Sequence, residues 1–284
     1  PSFLKGNINY KQGGYGHFYS RLQEAKTFHN VDLLFLGSSH TYRGFDNRNF
    51  TKEGYSSYTF GSSAQTPIQT NILLKRYLNS LHPKSVVYEV YPGTFSSDGV
   101  ESSLDLISND SIDFDDFSMA LEINNLKVYN TLIYDLLREK LLTNNFVEYK
   151  NKGVDTYIPG GFVAKEIKYN SSPYKYKKQS RSWELKDSQF SKFEKNLELL
   201  KKANVDFIFV YAPVTKNLYE SYRNNEEFNM KMGVYADKYN TFFFNFNGKL
   251  KLNDSLHFYD AHHLNQDGVE IFNTSFIDSL KNNK

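Results

Sequence analysis

The sequence contains no cysteine among its 284 residues. This absence excludes disulfide bonds, thiolate metal ligands and a cysteine nucleophile, so covalent catalysis would have to use another side chain. It does not assign a compartment, because proteins without cysteine are compatible with reducing and oxidising surroundings alike.

Neither sign of charge dominates. The 34 Lys and Arg residues nearly balance the 32 Asp and Glu residues, which leaves a net charge of +2. This balance carries no electrostatic signature of nucleic-acid binding, and we expect no nucleic-acid partner. No apolar run approaches the ~20 residues that cross a bilayer, and no signal-peptide pattern is visible. The first residue is Pro1 and not Met, so a membrane tether in a preceding segment stays open.

Aromatic residues, in contrast, are abundant. They make up 17% of the chain, within a hydrophobic fraction of 39%. A chain of this length and composition buries a sizeable core, and we expect a single domain over residues 1–284.

Short apolar segments alternate with helical patterns along much of the chain. The segments are rich in β-branched and aromatic residues and predict buried parallel strands at 31–36, 57–60, 85–90, 205–211 and 241–246. Apolar residues at helical spacing predict helices at 67–81, 187–202 and 265–280. This alternation predicts an α/β fold, a three-layer α/β/α sandwich around a flavodoxin-like, doubly wound sheet of about five parallel strands.

Residues 94–186 interrupt this alternation. They contain a helical pattern at 117–142, a loop with Gly160 and Gly161, and a segment rich in Tyr and Lys at 169–181. We expect a helical and loop insertion over the rim formed by the carboxyl ends of the predicted strands. The two glycines suit either a lid hinge or a plain turn. The basic residues of the third stretch suit a solvated loop or a site for an anionic glycan or lipid headgroup; they are Lys175, Lys177, Lys178 and Arg181.

The segment Gly37-Ser38-Ser39-His40 directly follows the first predicted strand. Ligands of doubly wound sheets bind beyond the carboxyl ends of the strands. A serine on such a turn lies near backbone N–H groups that favour an anion, and its own N–H can stabilise an oxyanion. The alternative is an ordinary turn in which Ser38 or Ser39 caps the next helix.

A second polar segment, Asp260-Ala-His-His263, lies near the C-terminus. A carboxylate three residues before a histidine can reach its Nδ1, which leaves Nε2 free to accept a serine proton. One alternative is a polar loop in which Asn265 caps the last helix. Another is a zinc site formed by Asp260, His262, His263 and His257. Three ligands within four residues crowd one ion, so we expect no metal.

Together these segments resemble the SGNH/GDSL hydrolase superfamily, and the resemblance extends over nearly the whole chain. It implies that Ser39 is the nucleophile and that Asp260 and His263 complete a catalytic triad. It also implies that Gly61, in the second block, donates to the oxyanion together with the N–H of Ser39. No cofactor is implied.

The third block departs from the family pattern, because residues 88–94 lack the usual asparagine. Losing such an oxyanion donor costs ~10²-fold in rate. Either Gln65, a serine at 62–63 or a backbone N–H replaces it, or the enzyme is slow, or it is not a simple esterase. In this respect the sequence looks more like the subgroup that acts on cell-envelope polymers, such as the D-alanyl-transfer proteins of teichoic acid and the alginate-type O-acetyltransferases. Many of its members are tethered outside the bacterial cytoplasm by one N-terminal helix, which implies an extracytoplasmic location.

The resulting hypothesis is a serine-dependent esterase or O-acyltransferase. It would act on small acyl esters of carbohydrate or of an envelope polymer through an acyl-enzyme. The alternative is a catalytically inactive protein of the same fold that binds glycans or assists assembly. The oligomeric state stays open. Residues near the predicted strand ends are candidates for substrate contacts; they are His40, Tyr42, Arg43, Tyr91, Tyr211 and His262.

Overall fold

The computed structural model describes residues 11–141 and 146–282. In chain order these residues form α1 (Phe18–Ala25), β1 (Leu33–Gly37), α2 (Ser39–Gly44), α3 (Asn47–Lys52), β2 (Ser57–Gly61), α4 (Pro67–Leu81), β3 (Ser85–Glu89), α5 (Pro92–Ser96), α6 (Val100–Asn109), α7 (Phe114–Ile123), α8 (Leu126–Leu141), β4 (Asn151–Lys152), β5 (Asp155–Ile158), β6 (Phe162–Lys165), α9 (Asp187–Lys202), β7 (Asp206–Tyr211), α10 (Lys216–Ser221), α11 (Asn225–Tyr239), β8 (Phe243–Asn245) and α12 (Gln266–Asn282).

Five parallel strands form the central sheet in the order β2-β1-β3-β7-β8. Helices cover both of its faces, and this strand order is that of flavodoxin-like doubly wound folds. The predicted fold class is therefore confirmed. All five predicted strands are present, and none of their ends differs from the prediction by more than two residues, which is the usual scatter of helix and strand boundaries.

Two hydrophobic clusters lie on opposite faces of this sheet. Leu34 and Leu36 belong to the cluster beneath α1, α4 and α9, whereas Leu33 and Phe35 belong to the cluster beneath α3 and α12. Successive side chains of a strand point to opposite faces. The uninterrupted apolar run of β1 is therefore what a strand covered on both sides requires.

Local signals explain the bounds of α4, which match the predicted helix. Pro67 occupies the first helical position, where its missing N–H costs nothing. The N–H of Thr66 donates to the side chain of Gln69 at 3.2 Å, as in a capping box. The helix ends at His82, which has a left-handed conformation.

The region between β3 and α9 differs from its prediction in two respects. The single helix predicted at 117–142 is two helices, α7 and α8, because Asn124 adopts the left-handed conformation that ends a helix; residue 142 lies outside the described residues. Residues 151–165 contain a small antiparallel sheet, β4-β5-β6, where we predicted loop. Strands of two to four residues are too short to show a readable alternation.

Gly160 and Gly161 form the turn between β5 and β6, and both have positive φ. The carbonyl of Gly160 accepts the N–H of Thr59 at 2.7 Å, so the turn lies against β2, the edge strand of the main sheet. A Cβ on Gly161 would lie 2.1 Å from the Thr59 carbonyl oxygen. The structure therefore favours a docked turn over a lid hinge at these glycines.

Within the ranges 11–141 and 146–282, no helix combines the length and the apolarity that a bilayer crossing requires.

Candidate active site

The turn after β1 presents one of its two serines to solvent and buries the other. Ser38 caps α2, its Oγ accepting the N–H of His40 at 3.3 Å, and its side chain is only 2% exposed. Ser39 is the first residue of α2 and is partly exposed. Of the two hydroxyls, that of Ser39 is the one an incoming substrate can reach.

The loop before α12 is folded around Asp260. Its Oδ1 accepts the backbone N–H groups of His262 and His263, each at 2.8 Å. Both carboxylate oxygens of Asp260 also lie 3.0 Å from Nδ1 of His263. The carbonyl of Ala261 accepts the N–H and the hydroxyl of Thr215, which attaches the loop to the segment after β7. The loop therefore holds the imidazole of His263 at a defined position.

The turn that carries Ser38 and Ser39 meets this loop, although 224 residues separate Ser39 from His263. Nε2 of His263 lies 2.8 Å from Oγ of Ser39. With Nδ1 committed to Asp260, Nε2 is the nitrogen that can accept the serine proton. The structure thus brings together the three side chains that were predicted as a triad, in the order Ser39, His263, Asp260.

The electrostatics of Asp260 suit the orienting role. Burial alone would raise the pKa of its carboxyl, but the hydrogen bond and charge of His263 outweigh this effect, together with the two backbone N–H groups. They hold the pKa of Asp260 well below its usual range. The carboxyl therefore stays ionised and can stabilise the imidazolium that forms on His263.

Two further histidines surround His263. The ring of His40 lies 5.2 Å from that of His263, and Nδ1 of His262 lies 3.3 Å from the hydroxyl of Tyr91. Burial, together with the charge of His263, lowers the pKa of His262 to about 4 and that of His40 well below its usual value. Both rings are therefore neutral near pH 7 and do not compete with His263 for a proton.

A cavity of about 530 Å³ opens above the Ser39 hydroxyl. Its wall is mostly polar and aromatic. The lining residues are Ser38, Ser39, His40, Tyr42, Arg43, Ser63, Ala64, Tyr91, Gly93, Thr94, Ser97, Glu101, Lys165, Tyr259, Asp260, His262 and His263. Five of the six predicted substrate contacts are among them. Tyr211 is not, because it is 1% exposed and packs beneath Tyr91 in the core.

Of the expected oxyanion donors, Ser39 lines the cavity, whereas Gly61 and Gln65 do not. Gly61 is the last residue of β2 and does not line the cavity. Its carbonyl oxygen accepts a hydrogen bond from Nε–H of Arg21 at 2.9 Å. A Cβ on Gly61 would lie 2.8 Å from the carbonyl oxygens of Gly37 and Ser38. The glycine therefore allows β2 to lie directly against the nucleophile turn.

Gln65 is likewise directed away from the cavity. Its side chain is 2% exposed, accepts the hydroxyl of Ser62 at 3.0 Å and donates to Thr70 at 2.9 Å. Both ends of the amide are thus used in the interior. From the sequence, Gln65 is a possible replacement for the third-block asparagine, but its side chain turns inward.

Ala64 lies between Gly61 and Gln65 in the chain and lines the cavity. It lies on a turn closed by the Gln65 N–H donating to the Ser62 carbonyl at 3.3 Å, and it has a φ of +50°. Left-handed backbone at a residue with a Cβ is unusual and tends to occur at functional sites. Neither the Ala64 N–H nor the Ser39 N–H has a hydrogen-bond partner within the described part of the chain, and both residues line the cavity.

The residues of the zinc alternative do not converge. Both ring nitrogens of His263 are engaged by Asp260 and Ser39, and Nδ1 of His257 accepts the N–H of Asn253 at 2.8 Å. Among residues 11–141 and 146–282, no group of three His, Asp or Glu side chains is placed to hold a metal ion.

Two residues at the site carried no recognisable sequence signal. Glu89 ends β3 and bonds to Ser38, whereas Tyr259 stacks its ring on His263 with centroids 5.4 Å apart and planes 6° apart. Tyr259 directly precedes the Asp-x-x-His segment, and the chain contains 22 tyrosines, so its type did not single it out.

The basic segment at 175–181 lies beside the His262 wall of the cavity. The guanidinium of Arg181 stacks on the rings of Tyr176 and Tyr222, and Tyr222 stacks on Trp183. Trp183 contacts Tyr91 edge to face at 5.4 Å. The aromatic stack is therefore continuous with the cavity wall.

A second cavity, of about 480 Å³, lies at the opposite edge of the sheet. It is lined by the amino ends of the strands, including Leu33, Ser85 and Asp206. None of the triad residues lines it, so it is separate from the site at the carboxyl ends.

No protein-family model matches the chain, and no curated protein matches it. Among solved structures, the chain is similar to a proposed acylhydrolase from Bacteroides fragilis, with 12% identity, a TM-score of 0.48, and coverage of 92% of this chain and 94% of that chain. It is also similar to a GDSL-like lipase from Bacteroides thetaiotaomicron, with 11% identity, a TM-score of 0.48, and coverage of 94% and 98%. At this level of similarity the neighbours do not establish a family or an activity.

Proposed function

We propose that this chain is a serine acyl hydrolase of the SGNH/GDSL type. The observation that carries the proposal is the relay from Ser39 through His263 to Asp260, with contacts of 2.8 Å and 3.0 Å. A hydroxyl, an imidazole and an ionised carboxylate in this order form an activated nucleophile with its base and orienting group.

The geometry supports a two-step acyl transfer. Oγ of Ser39 attacks the carbonyl carbon of an ester while Nε2 of His263 takes the hydroxyl proton. The tetrahedral intermediate collapses, the ester C–O bond breaks, and His263 returns the proton to the departing alcohol. The acyl group stays on Ser39 until a second acceptor, deprotonated by His263, attacks it. The bond between the acyl carbon and Oγ then breaks, and His263 returns the proton to Oγ of Ser39. Side chains and amides of this chain suffice for every step.

The N–H groups of Ser39 and Ala64 are the proposed oxyanion donors. Both line the cavity without a partner in the described residues, whereas Gly61 does not line it and the side-chain amide of Gln65 is hydrogen-bonded in the interior. Two such amides supply the stabilisation that rigid backbone donors give to a developing oxyanion, about 10²-fold or more per donor. The Ser39 N–H is a donor that the resemblance implies, and the Ala64 N–H is the proposed replacement for the third-block asparagine that the sequence lacks.

Labelling with a fluorophosphonate probe tests the proposal. The wild type should be labelled at Ser39 and should hydrolyse p-nitrophenyl acetate, and Ser39→Ala should abolish both. Ser188→Ala, on the exposed face of α9, is the matched control and should label like the wild type. A folded wild type that neither labels nor hydrolyses would favour the alternative, a catalytically inactive binding or assembly protein of this fold.

The second acceptor decides between esterase and O-acyltransferase. Water gives an esterase, and a sugar hydroxyl gives a transferase to carbohydrate or to an envelope polymer. A large anionic acceptor is favoured by the basic segment, because Lys175, Lys177 and Arg181 form no ion pair within the described residues. The charges of Arg181 and Lys175 also contribute to lowering the pKa of His262, so they lie near the cavity.

A charge-matched comparison tests the anionic acceptor. The triple variant Lys175→Gln, Lys177→Gln, Arg181→Gln should lose about tenfold in kcat/KM for an acylated anionic oligosaccharide, and the loss should shrink at high salt. Hydrolysis of neutral p-nitrophenyl acetate should not change. The control triple, Lys127→Gln, Lys195→Gln, Lys202→Gln, removes the same charge from exposed helix positions. Equal effects of the two triples would reject this acceptor class.

A further inference from the structure

Glu89 is a buried carboxyl directly beneath the nucleophile turn. It is 2% exposed, and its Oε2 accepts the N–H of Ser38 at 3.0 Å and the hydroxyl of Ser38 at 2.9 Å. This approach depends on Gly37, because a Cβ there would lie 2.7 Å from both Cβ and Oε2 of Glu89. The first glycine of the Gly-Ser-Ser segment therefore makes room for a carboxyl from the neighbouring strand.

The bonds of Ser38 extend from Glu89 to the triad. Because the Ser38 hydroxyl proton is donated to Glu89, Nδ1 of His40 is the donor in its 3.0 Å contact with the Ser38 oxygen. The His40 ring then packs on the ring of His263 with centroids 5.2 Å apart. A chain of contacts thus runs from Glu89 through Ser38 and His40 to the catalytic base.

Within the described residues, only the two bonds from Ser38 compensate for the burial of this carboxyl. No cation pairs with Glu89: its other oxygen, Oε1, has no hydrogen-bond partner within the described residues and lies 3.7 Å from Nδ1 of His40. The titratable groups that face it are His40 from α2, Tyr91 after its own strand, Tyr211 from β7 and Tyr88 beside it. All four are neutral near pH 7. An unpaired buried carboxyl is costly, and an apolar residue would be the cheaper choice for packing alone.

We propose that Glu89 is a positioning residue for the acyl transfer described above: through Ser38 it holds the turn that presents Ser39, and through His40 it holds the surface on which His263 rests. This inference depends on the proposed serine hydrolase function. Glu89 touches neither the substrate nor the reacting atoms. Its ionised form accepts both Ser38 bonds.

The ionisation of Glu89 provides a readout that a purely structural role lacks. Burial raises the pKa of Glu89 to about 7, although the Ser38 bonds act in the opposite direction. Its charge therefore changes in the range where a serine hydrolase works. As pH rises through this range, the carboxylate of Glu89 forms and the turn reaches its active geometry. The increase of kcat/KM with pH should therefore depend on the ionisation of Glu89 in addition to that of the catalytic base.

Three variants and one control test the inference on p-nitrophenyl acetate. Glu89→Gln keeps the shape and an acceptor oxygen but removes the charge. Glu89→Leu removes the acceptor oxygen and the charge. Ser38→Ala removes the hydroxyl bond to Glu89 and leaves the bond from the Ser38 N–H. Displacement of a reacting group by about 1 Å costs up to 10²-fold, so Glu89→Gln should lower kcat by about 10- to 100-fold with KM nearly unchanged. Ser38→Ala should act in the same direction. Glu270→Gln, exposed on α12, should behave as the wild type.

The acid limb of the pH profile decides between positioning and mere packing. The limiting slope of log kcat/KM against pH should exceed one in the wild type and fall to one in Glu89→Gln. An unchanged kcat and slope in a folded Glu89→Gln would overturn the inference, as would a loss of kcat that is equal at every pH. Absence of Ser39 labelling in the wild type would instead reject the hydrolase function and this inference together. If Glu89→Leu does not fold, Glu89→Gln and Ser38→Ala still give the answer.

Discussion

Asp260 holds His263 through both its backbone and its ring. One carboxylate oxygen accepts the backbone N–H of His263 at 2.8 Å, and both oxygens lie 3.0 Å from the ring Nδ1. The same residue therefore shapes the loop and selects the tautomer of the base. An asparagine at this position could still accept the backbone N–H groups that shape the loop, but it could not select the tautomer that leaves Nε2 of His263 free to accept a proton.

The first prediction follows from this division of roles. Asp260→Asn should leave the fold intact and lower kcat for p-nitrophenyl acetate by about 10⁴-fold, because the amide favours the tautomer that carries its proton on Nε2. Steady-state kinetics and the rate of fluorophosphonate labelling measure the loss. Asp278→Asn, exposed on α12, is the matched control. A loss of tenfold or less would mean that Asp260 does not orient the base.

The second prediction concerns the contact between β2 and the nucleophile turn. Gly61→Ala would place a Cβ 2.8 Å from two backbone carbonyl oxygens, which cannot move aside as a side chain could. We expect a loss of about 1–3 kcal/mol in the free energy of unfolding and a lower kcat. Gly233→Ala in α11 meets no atom within 4 Å and should stabilise the helix by about 0.5–1 kcal/mol. Urea denaturation of both variants provides the comparison, and equal stabilities would refute the close contact.

The third prediction concerns Arg21, a fully buried arginine. It donates to the carbonyls of Gly61 at 2.9 Å and Gly161 at 3.3 Å, and its guanidinium lies 4.3 Å from the ring of Tyr42. Arg21→Leu leaves two buried carbonyls without a donor, at about 1–3 kcal/mol each. Thermal unfolding should show a lower midpoint for this variant. The exposed Arg48 serves as the control, since Arg48→Leu should change stability by about 1 kcal/mol or less.

The fourth prediction is a pH dependence of stability. The pKa of Glu89 is about 7 in the folded chain and 4.5 for an unperturbed group, so between these values the folded state holds a proton that the unfolded state has released. The free energy of unfolding should therefore fall as pH rises from about 4.5 to 7, by roughly 3 kcal/mol from Glu89.

Other buried carboxyls act in the same direction, because burial raises the pKa of Asp105 to about 7 and that of Asp116 and Asp135 to about 6. The difference between the wild type and Glu89→Gln isolates Glu89. Urea denaturation at intervals across this range should show the two stabilities diverging. Parallel curves would mean that Glu89 does not retain its proton in the folded state.

Local sequence patterns determined much of the architecture. The apolar runs of β1 and β3 identified strands buried on both faces, and Pro67 with Thr66 and Gln69 marked the start of α4. The spacing of Asp260 and His263 also predicted their contact, because a carboxylate three residues before a histidine in one loop can reach its imidazole. Local structure of this kind can be predicted from the sequence because the interacting groups are neighbours in the chain.

The tertiary structure decided what depends on distant segments. Only the parallel order of β1, β2 and β3 brings Glu89 beneath Ser38, turns Gln65 inward and leaves the amide of Ala64 at the cavity. The meeting of Ser39 with His263, 224 residues away, is of the same kind. These contacts arise from strand register and loop packing. They join residues that are distant in the sequence, and no repeating pattern along the chain marks such residues as neighbours.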